Sequence, residues 1–168
     1  MNAIADRLAI MDLAAHYMRA LDRLDQALLE AQFWPDARLD YGIFQGGARE
    51  FAGFCMDALA GHDRNHHMLG QHLIEIEGDE AHGEVYYQAW HRTTDEHGAK
   101  RDLVIAGRYV ERCERRDGVW KYAYRSEIVD WARDDPASDG IFAAAPFILG
   151  QRKPADPLYD RAAMRAQP

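Results

Sequence analysis

The apolar residues of this chain change their period once, and that switch limits the fold more than any other feature. Up to about residue 62 most apolar positions recur at helical spacing; beyond it they alternate in long runs separated by glycine turns. HLIEIEGDEAHGEVYYQAWHRT reads as two strands about a Gly78–Asp79 turn, with Ile74 and Ile76 alternating against Glu75 and Glu77. KRDLVIAGRYVERCER is a third strand, and RDGVWKYAYRSEIVDWA is a fourth that begins at an Asp117–Gly118 hairpin turn. Helices followed by an antiparallel meander make an α+β domain with its helices packed on one face of the sheet.

The helical half opens at about residues 3–24. Ile4, Leu8, Met11, Ala15 and Met18 form a stripe whose next position is Asp22. A carboxylate on such a stripe faces the core, where it must be protonated, hydrogen-bonded or paired. The plainer alternative is a fraying helix end with Asp22 turned to solvent. A second helix, DQALLEAQFW, runs from Asp25 to Trp34, with Asp25 as its N-cap and Pro35 closing it. ARLDYGIFQGG then reads as a strand or strand pair ending at a Gly46–Gly47 turn, and residues 49–62 as a third helix with Phe51, Cys55 and Leu59 on one side.

One domain is expected over residues 1–132, followed by a tail, 133–168, interrupted by Pro136, Pro146, Pro154 and Pro157. The tail contains the apolar run IFAAAPFIL, which needs cover: it lids the domain's own cavity or packs on a neighbouring subunit. The 168 residues carry a formal charge of −8 and no dense basic patch, which excludes a nucleic-acid partner held through phosphates. No apolar run approaches the roughly 20 residues of a membrane span, and no secretory leader is visible, so a cytoplasmic protein is expected. Cys55 and Cys113 lack CxxC spacing, which argues against a structural zinc site or redox dithiol.

Histidine and aromatic residues carry the chemical signal. His66 and His67 are adjacent near the start of the first long strand, with His72 following. Neighbours on a strand point to opposite sides, so at most one of the pair faces inward unless the strand is bulged; the plainer alternative is a solvated polar strand end. A histidine beside a buried carboxylate is a general base with a fixed tautomer and a stabilised cation. Strand metal sites need ligands at i and i+2, which this set lacks, so no metal is expected. Arg125 shares parity with Val119 and Ala123. It either faces inward, where it needs an anion, or forms an outward cross-strand ion pair.

The segments DRLAIMDLAAHYMRALDRLD, FWPDARLDYG, HHMLGQHLIEIEGDEAHGEVYY and GRYVERCERRDGVWKYAYRSEIVDW, in that order over roughly residues 3–132, resemble the SnoaL-like branch of the NTF2-like superfamily, among its dehydratases and dehydrochlorinases. The resemblance implies a cone-shaped α+β barrel, a curved antiparallel sheet around N-terminal helices with the pocket inside. The family's Asp–His pair falls on Asp22 and His67. Strict alternation from Ile74 and Ile76 would instead turn His66 inward, so a β-bulge near Gly70 is expected to restore the aim of His67. Tyr17 falls where relatives carry an active-site Tyr or Lys, Arg125 on a pocket arginine and Tyr109 on a pocket aromatic. Trp34, Tyr41 and Trp90 join Tyr109 as the expected substrate wall.

The resemblance thus implies a cofactor-free lyase acting on a small hydrophobic aromatic or alicyclic molecule. His67 removes a proton, Asp22 orients it, Tyr17 or Tyr109 donates to the leaving group, and Arg125 holds developing charge. Elimination of water and retro-aldol loss of a small aldehyde from an aromatic diol need the same groups. The alternatives are an isomerase or cyclase on a steroid or polyketide, and a non-catalytic binding domain. The resemblance also implies a homo-oligomer, with a trimer favoured.

Overall fold

Glycines and one aspartate set where the long strands stop. The computed structural model describes residues 3–143 and 146–166, with the backbone alone at 142–143. Helices α1 (Ala3–Arg23) and α2 (Gln26–Ala31) lead into strands β1 (Phe33–Asp40) and β2 (Gln45–Gly47), then helix α3 (Ala48–Ala60). Strands β3 (Arg64–Glu77), β4 (Glu80–Thr94), β5 (Lys100–Arg116) and β6 (Val119–Pro136) complete the domain. Gly78 turns β3 into β4 at φ 65°, and Asp117 and Gly118 turn β5 into β6 at φ 51° and 80°. Two consecutive positive φ values match the twist of a tight hairpin.

The six strands form one curved, unclosed sheet in the order β2-β1-β6-β5-β4-β3. The meander is antiparallel as expected, but β1 runs parallel to β6. A parallel neighbour is accessible here because the whole β2-to-β5 stretch connects the two strands. Register shifts at Leu69/His72, Ala106/Gly107 and Arg112/Cys113 interrupt the ladders. Bulges of this kind bend a sheet.

The expected stripe on α1 is corrected. Ile4, Leu8, Met11 and Ala15 are exposed, and of that set only Met18 is buried. The core face is Ile10, Leu13, Ala14, Tyr17 and Leu21, offset by about one residue and richer in bulk. Met18 and Asp22 lie on the border of that face, so Asp22 still turns inward, although by a different route from the one its stripe suggested.

The second helix is also shorter than expected. It ends at Ala31, and the chain extends at once into β1, so Trp34 and Pro35 are strand residues. Pro35 sits where pairing between β1 and β6 lapses, from Phe33 to Arg38, and its missing N–H therefore costs no ladder bond. The β1–β2 turn lies at Tyr41–Phe44, closed by Tyr41 N donating to Phe44 O at 2.8 Å. Gly46 and Gly47 belong to β2, and Gly47 also caps α3.

Candidate active site

Asp22 occupies the last turn of α1, and its carboxylate takes two hydrogens from one residue of β3. Asp22 Oδ1 lies 2.7 Å from His67 Nδ1, while the His67 backbone N–H donates to Oδ1 and Oδ2 at 3.2 and 3.1 Å. The side chains are 12% and 5% exposed. A carboxylate only accepts, so the proton of a neutral His67 sits on Nδ1 and the lone pair on Nε2. The backbone contact fixes where the carboxylate stands, and the ring contact fixes how the imidazole is turned.

The aim of His67 depends on the bulge. His67 and Leu69 face inward, the ladder slips between Leu69 and His72, and His72, Ile74 and Ile76 resume the inward parity. The slip lies at Gly70–Gln71. His66 sits directly across from Trp90 on the outer face.

His67 opens on a chamber of about 200 Å³ between α1, α3 and the sheet. Phenols dominate its wall. Tyr17 and Tyr41 share a hydroxyl–hydroxyl hydrogen bond of 2.9 Å, and the rings of Tyr87 and Tyr109 stack with centroids 4.5 Å apart. Burial raises all four phenol pKa values, with the negative charge of Glu127 adding at Tyr41, Tyr87 and Tyr109, so these groups remain protonated donors. The same two causes push the Cys55 thiol, also on the wall, up to about 12.

A profile of the SnoaL-like domain matches residues 2–126. The chain belongs to the SnoaL-like family. It is 24% identical over 136 residues to the gamma-hexachlorocyclohexane dehydrochlorinase of Sphingobium indicum, an alignment covering 78% of this chain and 85% of the relative. Among solved structures it is similar to the hexachlorocyclohexane dehydrochlorinase of Novosphingobium barchaimii, with TM-score 0.69 and 23% identity over 87% of this chain and 96% of that one. It is also similar to a putative scytalone dehydratase from Novosphingobium aromaticivorans, with TM-score 0.69 and 22% identity over 80% and 91%. These likenesses show the NTF2-like fold.

In this SnoaL-like domain the structure brings His67, Tyr17, Tyr41 and Tyr109 to one chamber, holds Asp22 behind His67 at the border of a neighbouring polar cleft, and leaves three expected residues outside both the pair and the chamber. Arg125 faces inward but is sealed, with no exposed surface. Its Nη1 donates to Glu111 Oε2 at 2.6 Å, and Glu111 is its direct cross-strand partner. Its guanidinium lies 4.1–4.6 Å from the ring centroids of Tyr17, Tyr109 and Tyr122. Arg125 thus stands behind the phenol wall and meets a protein carboxylate instead of a substrate. Trp34 lies away from the chamber: its indole donates to Glu114 O at 2.9 Å, under Arg116 and Lys121. Trp90 is on the outer face of β4, stacked with Arg92. It borders a separate polar cleft of about 710 Å³ with Asp22, Arg64, His66 and Lys100.

The SnoaL-like chamber also holds residues that the sequence did not single out. His91 shares the inward parity of Val85, Tyr87 and Ala89, which strand alternation alone would have revealed. Its ring packs 5.2 Å from that of His67 and 5.0 Å from that of His62. Burial, then the charges of His67, His62 and Arg152, lower its pKa to about 3. Glu127 follows Arg125 at the same parity and lines the wall. Among the described residues, no group of three or more His, Cys, Asp or Glu is arranged to hold a metal, and no helix is long and apolar enough to cross a membrane.

The tail packs back on its own domain only in part. Lys153 Nζ pairs with Asp25 at 2.8 Å and Arg23 with Asp156 at 3.4 Å, at the α1–α2 junction. Ile141 and Ile148 are 70% and 89% exposed and do not lid the chamber, while Leu149, the last residue of the apolar run, lines the polar cleft. The side chains at 142–145 lie outside the described residues.

Proposed function

We propose that this SnoaL-like domain is a cofactor-independent lyase for a small hydrophobic aromatic or alicyclic molecule. The observation that carries this reading is the 2.7 Å contact between Asp22 and His67 at the wall of an aromatic chamber. His67 Nε2 takes a proton from a carbon or hydroxyl of the bound ring. Asp22 holds the imidazole in its basic tautomer and stabilises the cation that forms. Tyr17 or Tyr109, kept protonated by burial, donates to the departing group. Each positioned acid or base contributes roughly 10²–10⁴-fold. The apolar wall supplies orientation and a medium that strengthens electrostatic contacts.

The outcome is elimination of water or halide, or retro-aldol release of a small aldehyde. The dehydrochlorinase and dehydratase names of the relatives support elimination. We further propose a homo-oligomer, a trimer by resemblance, in which the exposed tail residues Ile141 and Ile148 pack on a neighbour, and a cytoplasmic location.

Product mass tests the reaction class. The purified protein is incubated with γ-hexachlorocyclohexane and with a panel of cyclic and aryl alcohols, and products are read by mass spectrometry. A lyase gives a product lighter by hydrogen chloride, water or an aldehyde. A product of unchanged mass would replace this reading with an isomerase or cyclase, and absence of turnover across a broad panel would favour a binding domain.

A further inference from the structure

The last four carbonyls of α1 all have partners, and two of those partners come from the far end of the chain. Ala20 O accepts from Asp25 N at 2.9 Å and Leu21 O from Leu24 N at 3.3 Å. Arg23 O accepts from Lys153 N at 3.0 Å, and Asp22 O from Arg152 Nη1 at 2.7 Å. A helix C-terminus favours such a cation and needs such donors. Arg152 lies outside the part of the chain that the SnoaL-like profile covers. Its Nη2 also reaches His62 O at 3.3 Å. One guanidinium therefore ties the end of α1 to the segment leading into β3.

The same guanidinium orients Asn65. Arg152 Nη1 and Nη2 each lie 3.0 Å from one terminal atom of the Asn65 amide. Both are donors, so that atom is the carbonyl oxygen. The other atom is then the amide nitrogen, which lies 2.9 Å from Arg64 O and 3.0 Å from both His62 Nδ1 and His91 Nδ1. An amide nitrogen donates and does not accept. A hydrogen on Nδ1 of either ring would point at it and repel. A neutral ring at either position must therefore carry its hydrogen on Nε2. Both rings line the chamber beside His67. His91 stays neutral near pH 7 because burial above all lowers its pKa to about 3.

We propose that Arg152, acting through Asn65, is a positioning residue that fixes His62 and His91 as Nε2–H donors on the chamber wall. There they face the oxygen or halogen on which negative charge collects as His67 removes the proton. The placement of that charge rests on the lyase reading; the tautomers do not.

Long-range proton–nitrogen NMR of the full-length ¹⁵N-labelled protein at pH 7.5 reads each tautomer without a substrate. The wild type is expected to show Nε2–H for His62 and His91 and Nδ1–H for His67. Asn65→Asp keeps a partner for Arg152 but offers only acceptors to the rings, so Nδ1–H should appear on His62, His91 or both. Arg152→Met frees the amide to turn and should give mixed tautomers at both rings with His67 unchanged. Nδ1–H on either ring in the wild type would overturn the proposal. So would an unchanged pattern in Asn65→Asp, which decides the matter alone if Arg152→Met does not fold. If His67 itself shows Nε2–H, the lyase reading fails while the Arg152–Asn65 arrangement stands.

Discussion

Replacing Glu111 with alanine strands a charge in a sealed space. Glu111 Oε2 accepts from Arg125 at 2.6 Å and Oε1 meets His72 Nε2 at 2.9 Å, with no exposed side-chain surface on Glu111 or Arg125. Arg125 Nε and Nη2 have no hydrogen-bond partner among the described residues. The guanidinium cannot shed its proton, and the neighbouring phenols offer ring faces but no counter-ion. Removing one partner of a buried pair costs about 3–5 kcal/mol. At roughly 2–4 °C per kcal/mol for a domain of this size, the midpoint should fall by about 10 °C. Urea and thermal unfolding of wild type, Glu111→Ala and the pair Glu111→Leu with Arg125→Met provide the comparison. The paired variant should recover most of the loss, because apolar residues of similar volume replace a buried ion pair at little cost. A Glu111→Ala protein within about 1 kcal/mol of wild type would refute the argument that Glu111 is what permits Arg125 to be buried.

Burial and close contacts set two more outcomes. His91 has its pKa lowered from 6.5 to about 3, so it stabilises the fold fully above pH 6.5 and loses that contribution as pH falls towards 3, because the unfolded chain takes up the proton first. At pH 5 the loss is about 2 kcal/mol; urea midpoints at pH 7.5 and 5.0 should converge for His91→Gln relative to wild type, and equal acid sensitivity would count against a buried neutral ring. A Cβ on Gly107 would sit 2.0 Å from Ile128 O and 3.0 Å from Val129 Cα, both backbone. Gly107→Ala should therefore destabilise by about 3 kcal/mol or more, and a thermal midpoint unchanged from wild type would contradict the tight bulge there.

Strand ends were legible because glycine turns and alternation are local signals, and Ile74, Ile76 and the Gly78 turn lie where the pattern placed them. The face of α1 was not, because its N-terminal half presents apolar residues on two sides and spacing alone does not say which meets the sheet. The helix stripe pointed to Asp22 and the resemblance to its pairing with His67, and the expected bulge lies between Leu69 and His72. Alternation along β4 by itself puts Trp90 and His91 on opposite faces, so His91 and not Trp90 was the residue to expect at the chamber. The sealing of Arg125 depends on its register with Glu111 across β5 and β6, which only the paired sheet reveals. Arg152 carries no local signal at all: 130 residues separate it from Asp22.

The base role of His67 under the control of Asp22 is tested most directly by turnover of one accepted substrate at pH 7.5 by wild type, Asp22→Asn and His67→Gln. The predicted result is a loss of roughly 10²–10⁴-fold in kcat for each variant, with folding preserved by circular dichroism. Either variant turning over at the wild-type rate would contradict it.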